Sequence, residues 1–283
     1  MGAEAGRRGR DPAAAGGATV TRRTFAWVAA AGAGFIPLVK AAGRLRIGIG
    51  TYSYHNLSME AMVAQLNALA ITEIEMSRGE FMLLSHPTED LFQKARALFD
   101  KNGIGCVSYY AATIHDGQEL ELAIRFAKLL GAANITGDAT GGALLKQIDE
   151  RCTQAGLSFG IHNHYFKTKF AYESPEDVLG ALEGLSKTVG ATLDVGHMAS
   201  CGYDTVDAVR KLGPYLKLVH LKDVAAAGGE DNVLIGRGIA KIPLVMDELH
   251  KIRFAGLVAI EYEKEGPVED DLEKEVAYAR KLA

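Results

Sequence analysis

Five short segments of the sequence place a histidine or an acidic residue directly after an apolar one. Imidazole and carboxylate groups can bind metals and can also move protons. A single residue of this kind is more often a hydrogen-bonded core residue, but the recurrence of the pattern in five segments indicates a shared polar site. Mixed ligands of these two kinds favour Mn²⁺, Zn²⁺, Fe²⁺ or Co²⁺ and are too rich in nitrogen for Ca²⁺. The segments are Ile74-Glu75-Met76, Ile161-His162-Asn163-His164, Leu193-Asp194-Val195-Gly196-His197, Val219-His220-Leu221-Lys222-Asp223 and Ile260-Glu261-Tyr262-Glu263.

Each of these segments lies at the end of a predicted strand, in a chain that alternates short apolar runs with amphipathic helical stretches. Eight strands that alternate with helices predict parallel pairing and a closed (β/α)₈ TIM barrel. An open doubly wound sheet is the rival, but no GxGxxG segment follows the first strand. The predicted strands are Leu45–Tyr52, Thr72–Met76, Gly105–Tyr110, Asn134–Asp138, Ser158–His162, Gly190–Asp194, Leu216–His220 and Leu257–Glu261. Because barrel sites form at the carboxyl ends of strands, side chains from the last four strands are expected to converge on one ion.

Residues 1–43 read as a targeting segment, which leaves residues 44–283 for a single barrel domain. The segment Thr21-Arg22-Arg23-Thr24-Phe25-Ala26 resembles the twin-arginine export motif, and an apolar run from Ala26 to Leu38 follows it. That run is shorter than the roughly 20 residues that a membrane-spanning helix needs. We therefore expect a periplasmic or otherwise exported protein with no stable membrane span in its mature form.

Charge is distributed unevenly along the 283 residues. The formal net charge is −4, but residues 1–43 carry six basic and two acidic groups, so the remainder carries −8. An acidic body disfavours nucleic acid as a partner, because the phosphate backbone must meet a basic face. The expected partner is a small carbohydrate, and a homo-oligomer is possible.

From Leu45 to the C-terminus the sequence resembles the xylose-isomerase-like barrel group of sugar-phosphate isomerases and epimerases. The segments that carry the resemblance are GIHNHYF, LDVGHM, VHLKDV and AIEYE. The resemblance implies one divalent metal (Mn²⁺, Zn²⁺, Co²⁺ or Fe²⁺) held by Asp194, His220, Glu261 and a group on the fifth strand. It also implies that His197 contacts the substrate.

The fifth strand departs from the family pattern. Ketose epimerases of this group have a glutamate there that both binds metal and moves a proton, whereas this chain has His162. Imidazole can bind the metal, but its unperturbed pKa is near 6.5 instead of about 4.3. The symmetrical two-glutamate mechanism is therefore in doubt. A subset of the group that carries HNH at this point includes proteins that resemble lyases or hydratases.

Spacing alone leaves several roles open. The candidate bases are, in order, His164, Glu75, Glu263 and His197. Lys222 either neutralises an oxyanion or pairs with Asp223 on a solvated loop, and Glu75 is either catalytic or paired with Arg78. The candidate substrate contacts are His55, Tyr54, Asn163 and Arg237, with simple packing as the alternative for Tyr54 and a plain turn for Gly236-Arg237-Gly238.

These residues indicate a metal-dependent isomerase or epimerase that forms an enediolate from a keto-sugar. A lyase or hydratase that uses the same intermediate to expel a β-substituent has nearly equal support. Two further alternatives are a DNA-repair enzyme similar to endonuclease IV and a non-catalytic sugar-binding barrel. The DNA-repair enzyme needs three metals with more ligands, and the acidic body opposes it.

Overall fold

Eight parallel strands form a closed ring in a computed structural model that describes residues 43–77, 88–165 and 172–283. The ring order β1-β10-β7-β6-β5-β4-β3-β2 is that of a TIM barrel, so the predicted fold is confirmed. The ring strands are β1 (Arg46–Gly50), β2 (Glu73–Met76), β3 (Gly105–Ile114), β4 (Asn134–Ala139), β5 (Ser158–His162), β6 (Val189–Asp194), β7 (Leu216–Leu221) and β10 (Leu257–Ile260). The predicted leader, apart from Gly43, and Arg78 lie outside the described residues.

A short antiparallel hairpin follows β7 and was not predicted. It pairs β8 (Asp223–Val224) with β9 (Asn232–Val233), outside the ring. The carboxylate of Asp223 organises the loop beyond this hairpin by accepting backbone N–H bonds from Gly236, Gly238 and Ala240, each at 2.9 Å. One buried acid thus replaces the regular backbone pairing that this loop lacks.

Nine helices occur among the described residues, and six of them begin at a residue whose side chain caps the helix. Asp116 caps α3 through its bonds to the amides of Gln118 and Glu119, and Ser174 with Asp177 forms a capping box on α5. The helices are α1 (Met59–Ala68), α2 (Glu89–Lys101), α3 (Gly117–Leu130), α4 (Gly142–Ala155), α5 (Pro175–Leu182), α6 (Val195–Ser200), α7 (Thr205–Leu212), α8 (Ile242–Lys251) and α9 (Glu269–Leu282). None of these described helices is long and apolar enough to cross a membrane.

The first strand ends two residues earlier than predicted, at Gly50, and Thr51–Tyr54 form a 3₁₀ turn. Side chains cause this change. The hydroxyl of Thr51 accepts from the amide of Ser77 at 2.9 Å, and the amide of Tyr52 donates to the hydroxyl of Ser77 at 3.1 Å. These bonds replace ladder bonds at the end of the strand, so the side chains beyond Gly50 no longer alternate between the two faces of a strand.

Candidate metal centre

Four side chains from the carboxyl ends of neighbouring strands meet inside the mouth of the barrel. They are His162 at the end of β5, Asp194 at the end of β6, His220 near the end of β7 and Glu261 just after β10. One ligand atom from each lies within 4.8 Å of the others, and all four residues are buried. His220 Nδ1 lies 3.1 Å from His162 Nε2 and 2.9 Å from Glu261 Oε2. The structure therefore brings together the four side chains named as ligands.

One buried carboxylate oxygen of Asp194 lacks a hydrogen-bond partner among the described residues. Its Oδ1 accepts the amide of His197 at 2.8 Å and so caps α6, but Oδ2 has no hydrogen-bond partner in the described parts of the chain. Nitrogens of His197, His220, His162 and Lys222 surround Oδ2 at 3.6, 3.8, 3.9 and 3.9 Å. Leaving a buried carboxylate oxygen without a bond costs free energy unless a cation fills the gap. The buried cluster is consistent with one divalent metal.

The protonation states of two of the four candidate ligands, His162 and Asp194, suit metal binding. Burial disfavours the imidazolium form and holds the pKa of His162 and of His197 well below the usual range. Burial raises the pKa of a carboxyl, but His197, Lys222 and His220 outweigh this effect and hold the pKa of Asp194 well below its usual range. His162 thus offers a neutral imidazole lone pair beside the carboxylate of Asp194, which are the states that a metal requires of these two ligands, whereas burial raises the pKa of Glu261.

His220 differs from the other histidines in the site. Burial lowers its pKa, but Glu261 and Glu75 outweigh burial and raise the pKa well above its usual value. Its Nε2 bonds to Glu75 Oε2, and its Nδ1 faces Glu261. Without a metal, the imidazolium form of His220 is therefore favoured between the carboxylates of Glu75 and Glu261.

Glu75 is fully buried on β2 and is directed at His220. It is close enough to His220 for a hydrogen bond, whereas Arg78, the alternative partner, lies outside the described residues. The carboxylate therefore lies behind a metal-ligand candidate.

Two further histidines and an ion pair line the mouth above the cluster. The rings of His164 and His197 stack with centroids 4.3 Å apart, and burial lowers the pKa of His164 to about 4. Lys222 is 1% exposed, and its Nζ lies 3.0 Å from Glu263 Oε2 and 3.4 Å from His197 Nε2. Of the two alternatives for Lys222, pairing with Asp223 on a solvated loop is therefore wrong, because the lysine is buried and meets Glu263.

Three of the four candidate substrate contacts have other surroundings than expected. Tyr54 is fully buried in the apolar core, so the packing alternative holds for it. Asn163 bonds to both backbone groups of Asp194, its amide donating at 3.0 Å and accepting at 2.9 Å, and it thereby joins β5 to β6. Arg237 is exposed on the loop that Asp223 organises, so the turn reading holds there. The early end of the first strand explains why Tyr54 is buried, and the turn explains why Arg237 is exposed.

The fourth candidate, His55, is half-buried and contacts Tyr52. Its ring stacks on that of Tyr52 with centroids 5.3 Å apart, and its Nδ1 lies 3.0 Å from the carbonyl of Tyr52. Burial, with Glu263 and Glu261, raises the pKa of Tyr52. Tyr52 is half-buried, whereas Tyr54 is fully buried, so Tyr52 is the better candidate of the two for a substrate contact.

A sequence profile of the xylose isomerase-like TIM barrel family matches residues 25–282. The chain belongs to this family. An uncharacterised protein of Mycobacterium tuberculosis is 34% identical over 70 residues, which are 25% of this chain and 25% of that protein. The chain therefore matches about a quarter of the length of this curated relative.

Solved structures of similar barrels include a zinc-bound IolI protein, with 15% identity, a TM-score of 0.62 and coverage of 84% of this chain and 96% of that one. The 3-keto-D-glucoside 4-epimerase YcjR of E. coli has 13% identity, a TM-score of 0.66 and coverage of 84% and 100%. The probable 3-DHS dehydratase AsbF of Bacillus anthracis has 14% identity, a TM-score of 0.67 and coverage of 82% and 98%. At these identities the likeness shows the fold alone.

This member of the xylose isomerase-like family has a site residue that was not predicted. The ring of Tyr110, on β3, meets that of His162 edge-on with centroids 5.3 Å apart. No pattern in the sequence marked Tyr110 as part of the site.

Proposed function

We propose that this chain is a divalent-metal-dependent isomerase or epimerase that acts on a keto-sugar or related carbohydrate through an enediolate. The observation that supports a metal is the buried Asp194 Oδ2, which has four nitrogens at 3.6 to 3.9 Å and no hydrogen-bond partner among the described residues. His162, Asp194, His220 and Glu261 would hold Mn²⁺, Zn²⁺, Co²⁺ or Fe²⁺. When bound, such a metal supplies Lewis-acid polarisation of a carbonyl.

His164 is our candidate for the base that takes the proton from the carbon beside the carbonyl. Its imidazole is neutral at pH 7, because its pKa is lowered to about 4, and it is only partly buried, so a substrate can reach it. Glu263 is less suited, since Lys222 already holds its carboxylate at 3.0 Å. We assign His197, which stacks on His164, to orient that ring and contact substrate.

Lys222 would stabilise the negative charge that develops on the substrate oxygens. Burial lowers the pKa of this lysine, but Glu263 and Asp194 outweigh burial and raise it, so the ammonium form is retained. A fixed charge in a buried site stabilises an enediolate more than the same charge in water does. Tyr52 and His55 would contact the remote hydroxyl groups.

The imidazole of His162 favours a second candidate function, a lyase or hydratase that acts on an oxidised sugar or glycoside. Epimerisation by two bases needs a proton-transfer group on each face of the reacting carbon, and the strand that supplies one of them in ketose epimerases carries no carboxylate here. A β-elimination needs a single base to form the enediolate, after which the β-substituent leaves. The dehydratase AsbF has a similar barrel, which makes this alternative worth testing.

The test is metal analysis of the purified protein, followed by incubation with reduced and oxidised sugars in D₂O, with and without a chelator. We expect deuterium at the carbon next to the carbonyl, and we expect chelation to abolish its incorporation. Exchange without loss of a group supports isomerisation or epimerisation, whereas release of an alcohol or water supports the lyase. A metal-free protein that exchanges no deuterium with any of these sugars contradicts both functions.

A pair of variants tests the base. His164→Asn should lower exchange by at least about 100-fold, the range typical of general base removal, without releasing the metal. The matched control is His250→Asn, on the distant helix α8, where the imidazole bonds to the carbonyl of Leu282. Equal exchange in His164→Asn and the wild type would contradict the assignment of the base.

We also propose that residues 1–43 direct export by the twin-arginine route. The paired Arg22 and Arg23 and the short apolar run after them support this proposal. Replacing both arginines with lysine should retain a fused reporter in the cytoplasm, and continued export would contradict it. Size-exclusion chromatography with light scattering would test for a homo-oligomer.

A further inference from the structure

Glu75 contacts His220, one of the four candidate metal ligands, from across the barrel. Glu75 Oε2 bonds to His220 Nε2 across the barrel interior, although the two residues are 145 positions apart. The other ring nitrogen, Nδ1, faces His162 Nε2 and Glu261 Oε2. A neutral imidazole carries its proton on one nitrogen and its lone pair on the other. The partner of Nε2 therefore decides whether Nδ1 can bind a metal.

Two buried hydroxyl groups, those of Ser108 on β3 and Thr136 on β4, lie beside Glu75 and lower its pKa, while Glu75 Oε1 has no hydrogen-bond partner among the described residues. These hydroxyls lie 3.1 Å apart. The amide of Asn134 donates to Ser108 Oγ at 3.0 Å, and Thr192 Oγ1 lies 3.0 Å from Thr136 Oγ1. All of these side chains are buried, so water does not compete for the bonds.

The direction of the bond between Glu75 and His220 matters. An ionised carboxylate can only accept hydrogen bonds, so the group that donates to Glu75 Oε2 is His220 Nε2–H. This bond selects the tautomer with the lone pair on Nδ1.

We propose that Glu75 is a positioning residue that fixes His220 Nδ1 as a metal ligand. The inference rests on the proposed metal centre. It assigns Glu75 a role other than the base for which it was a candidate. Carboxylates that orient ligating histidines typically change metal affinity by about 10- to 100-fold when they are removed.

The test measures the affinity of the full chain for Zn²⁺ by competition with a chromogenic chelator. We expect Glu75→Ala to weaken binding by about 10- to 100-fold, and Glu75→Gln by about 10-fold, because an amide no longer enforces the tautomer. The control is Glu73→Gln on the same strand, which removes a partly exposed ion pair with Arg46 and should leave Zn²⁺ affinity unchanged.

Nitrogen NMR of histidine-labelled protein gives a second readout, because the chemical shifts report which ring nitrogen carries the proton. In the zinc-bound wild type we expect His220 protonated at Nε2, and in Glu75→Gln a mixture of forms. Binding of Zn²⁺ within two-fold of wild type by both Glu75 variants would overturn the inference while leaving the metal centre intact. A wild type that binds no Zn²⁺ would instead overturn the proposed function. Circular dichroism separates either result from unfolding.

Discussion

Glu275 provides a prediction about stability that does not depend on the metal. This glutamate lies on α9 and is 1% exposed. Its Oε1 accepts the amide of Ile235 at 2.9 Å, while Oε2 has no hydrogen-bond partner among the described residues. Burial raises its pKa from 4.5 to about 8, with Asp223 and Asp271 adding to the effect and the Ile235 amide opposing it.

The sign of the pH dependence follows from this shift. Below the unfolded pKa of 4.5 both states are protonated, so Glu275 makes no difference to stability. As the pH rises, the unfolded state releases its proton first, and the free energy of unfolding falls until the folded pKa of about 8 is passed. At about 1.4 kcal/mol for each pKa unit, the full loss is about 5 kcal/mol, and about 3 kcal/mol of it falls between pH 6 and pH 9.

The assay is urea unfolding of the wild type and Glu275→Gln at pH 6 and at pH 9. Glutamine keeps an oxygen for the Ile235 amide and cannot ionise, so the stability of the variant relative to the wild type should rise by about 3 kcal/mol between the two pH values. Glu273→Gln, an exposed position on the same helix, is the control and should show no such rise. A difference between Glu275→Gln and the wild type that stays constant within about 1 kcal/mol would refute the reasoning.

Three further predictions concern the loop that Asp223 organises. Asp223→Ala should lower the free energy of unfolding by about 3 kcal/mol or more, because it leaves several backbone amides without an acceptor, and urea unfolding measures this loss. Gly236→Ala should cost about 1–3 kcal/mol in the same assay, since Gly236 has φ +81° and an added Cβ would lie 2.5 Å from the Tyr278 hydroxyl; an unchanged midpoint would contradict it. Arg237→Ala should leave kcat/KM unchanged, and a ten-fold loss would return Arg237 to the site.

The sequence predicted the features that depend on local pattern. Apolar runs ending in His162, Asp194, His220 and Glu261 located four strand ends, and barrel geometry then required these ends to be neighbours. Contacts between distant strands carry no such signal. Nothing in the spacing of Glu75 and His220, which are 145 positions apart, indicates that they bond across the ring.

Side-chain direction was the other limit. Tyr54 was a candidate substrate contact with packing as the alternative, and periodicity could not decide between them; the bonds between Ser77 and the Thr51–Tyr54 turn end the first strand at Gly50, and Tyr54 is buried. The position of Arg237 depends on the path of a loop that the carboxylate of Asp223 determines. Both depend on side-chain hydrogen bonds between segments that are apart in sequence, which periodicity does not report.

The ring closes where β1 pairs with β10, and the bond between Glu75 and His220 reaches over that seam from β2 to β7. An ion on His220 and Glu261 would tie together β7 and β10, the last two strands of the ring in chain order. Metal binding would therefore stabilise the closed ring where its first and last strands meet. Amide hydrogens of the first and last strands should then exchange with solvent more slowly in the loaded protein, while those of β3 and β4 change little.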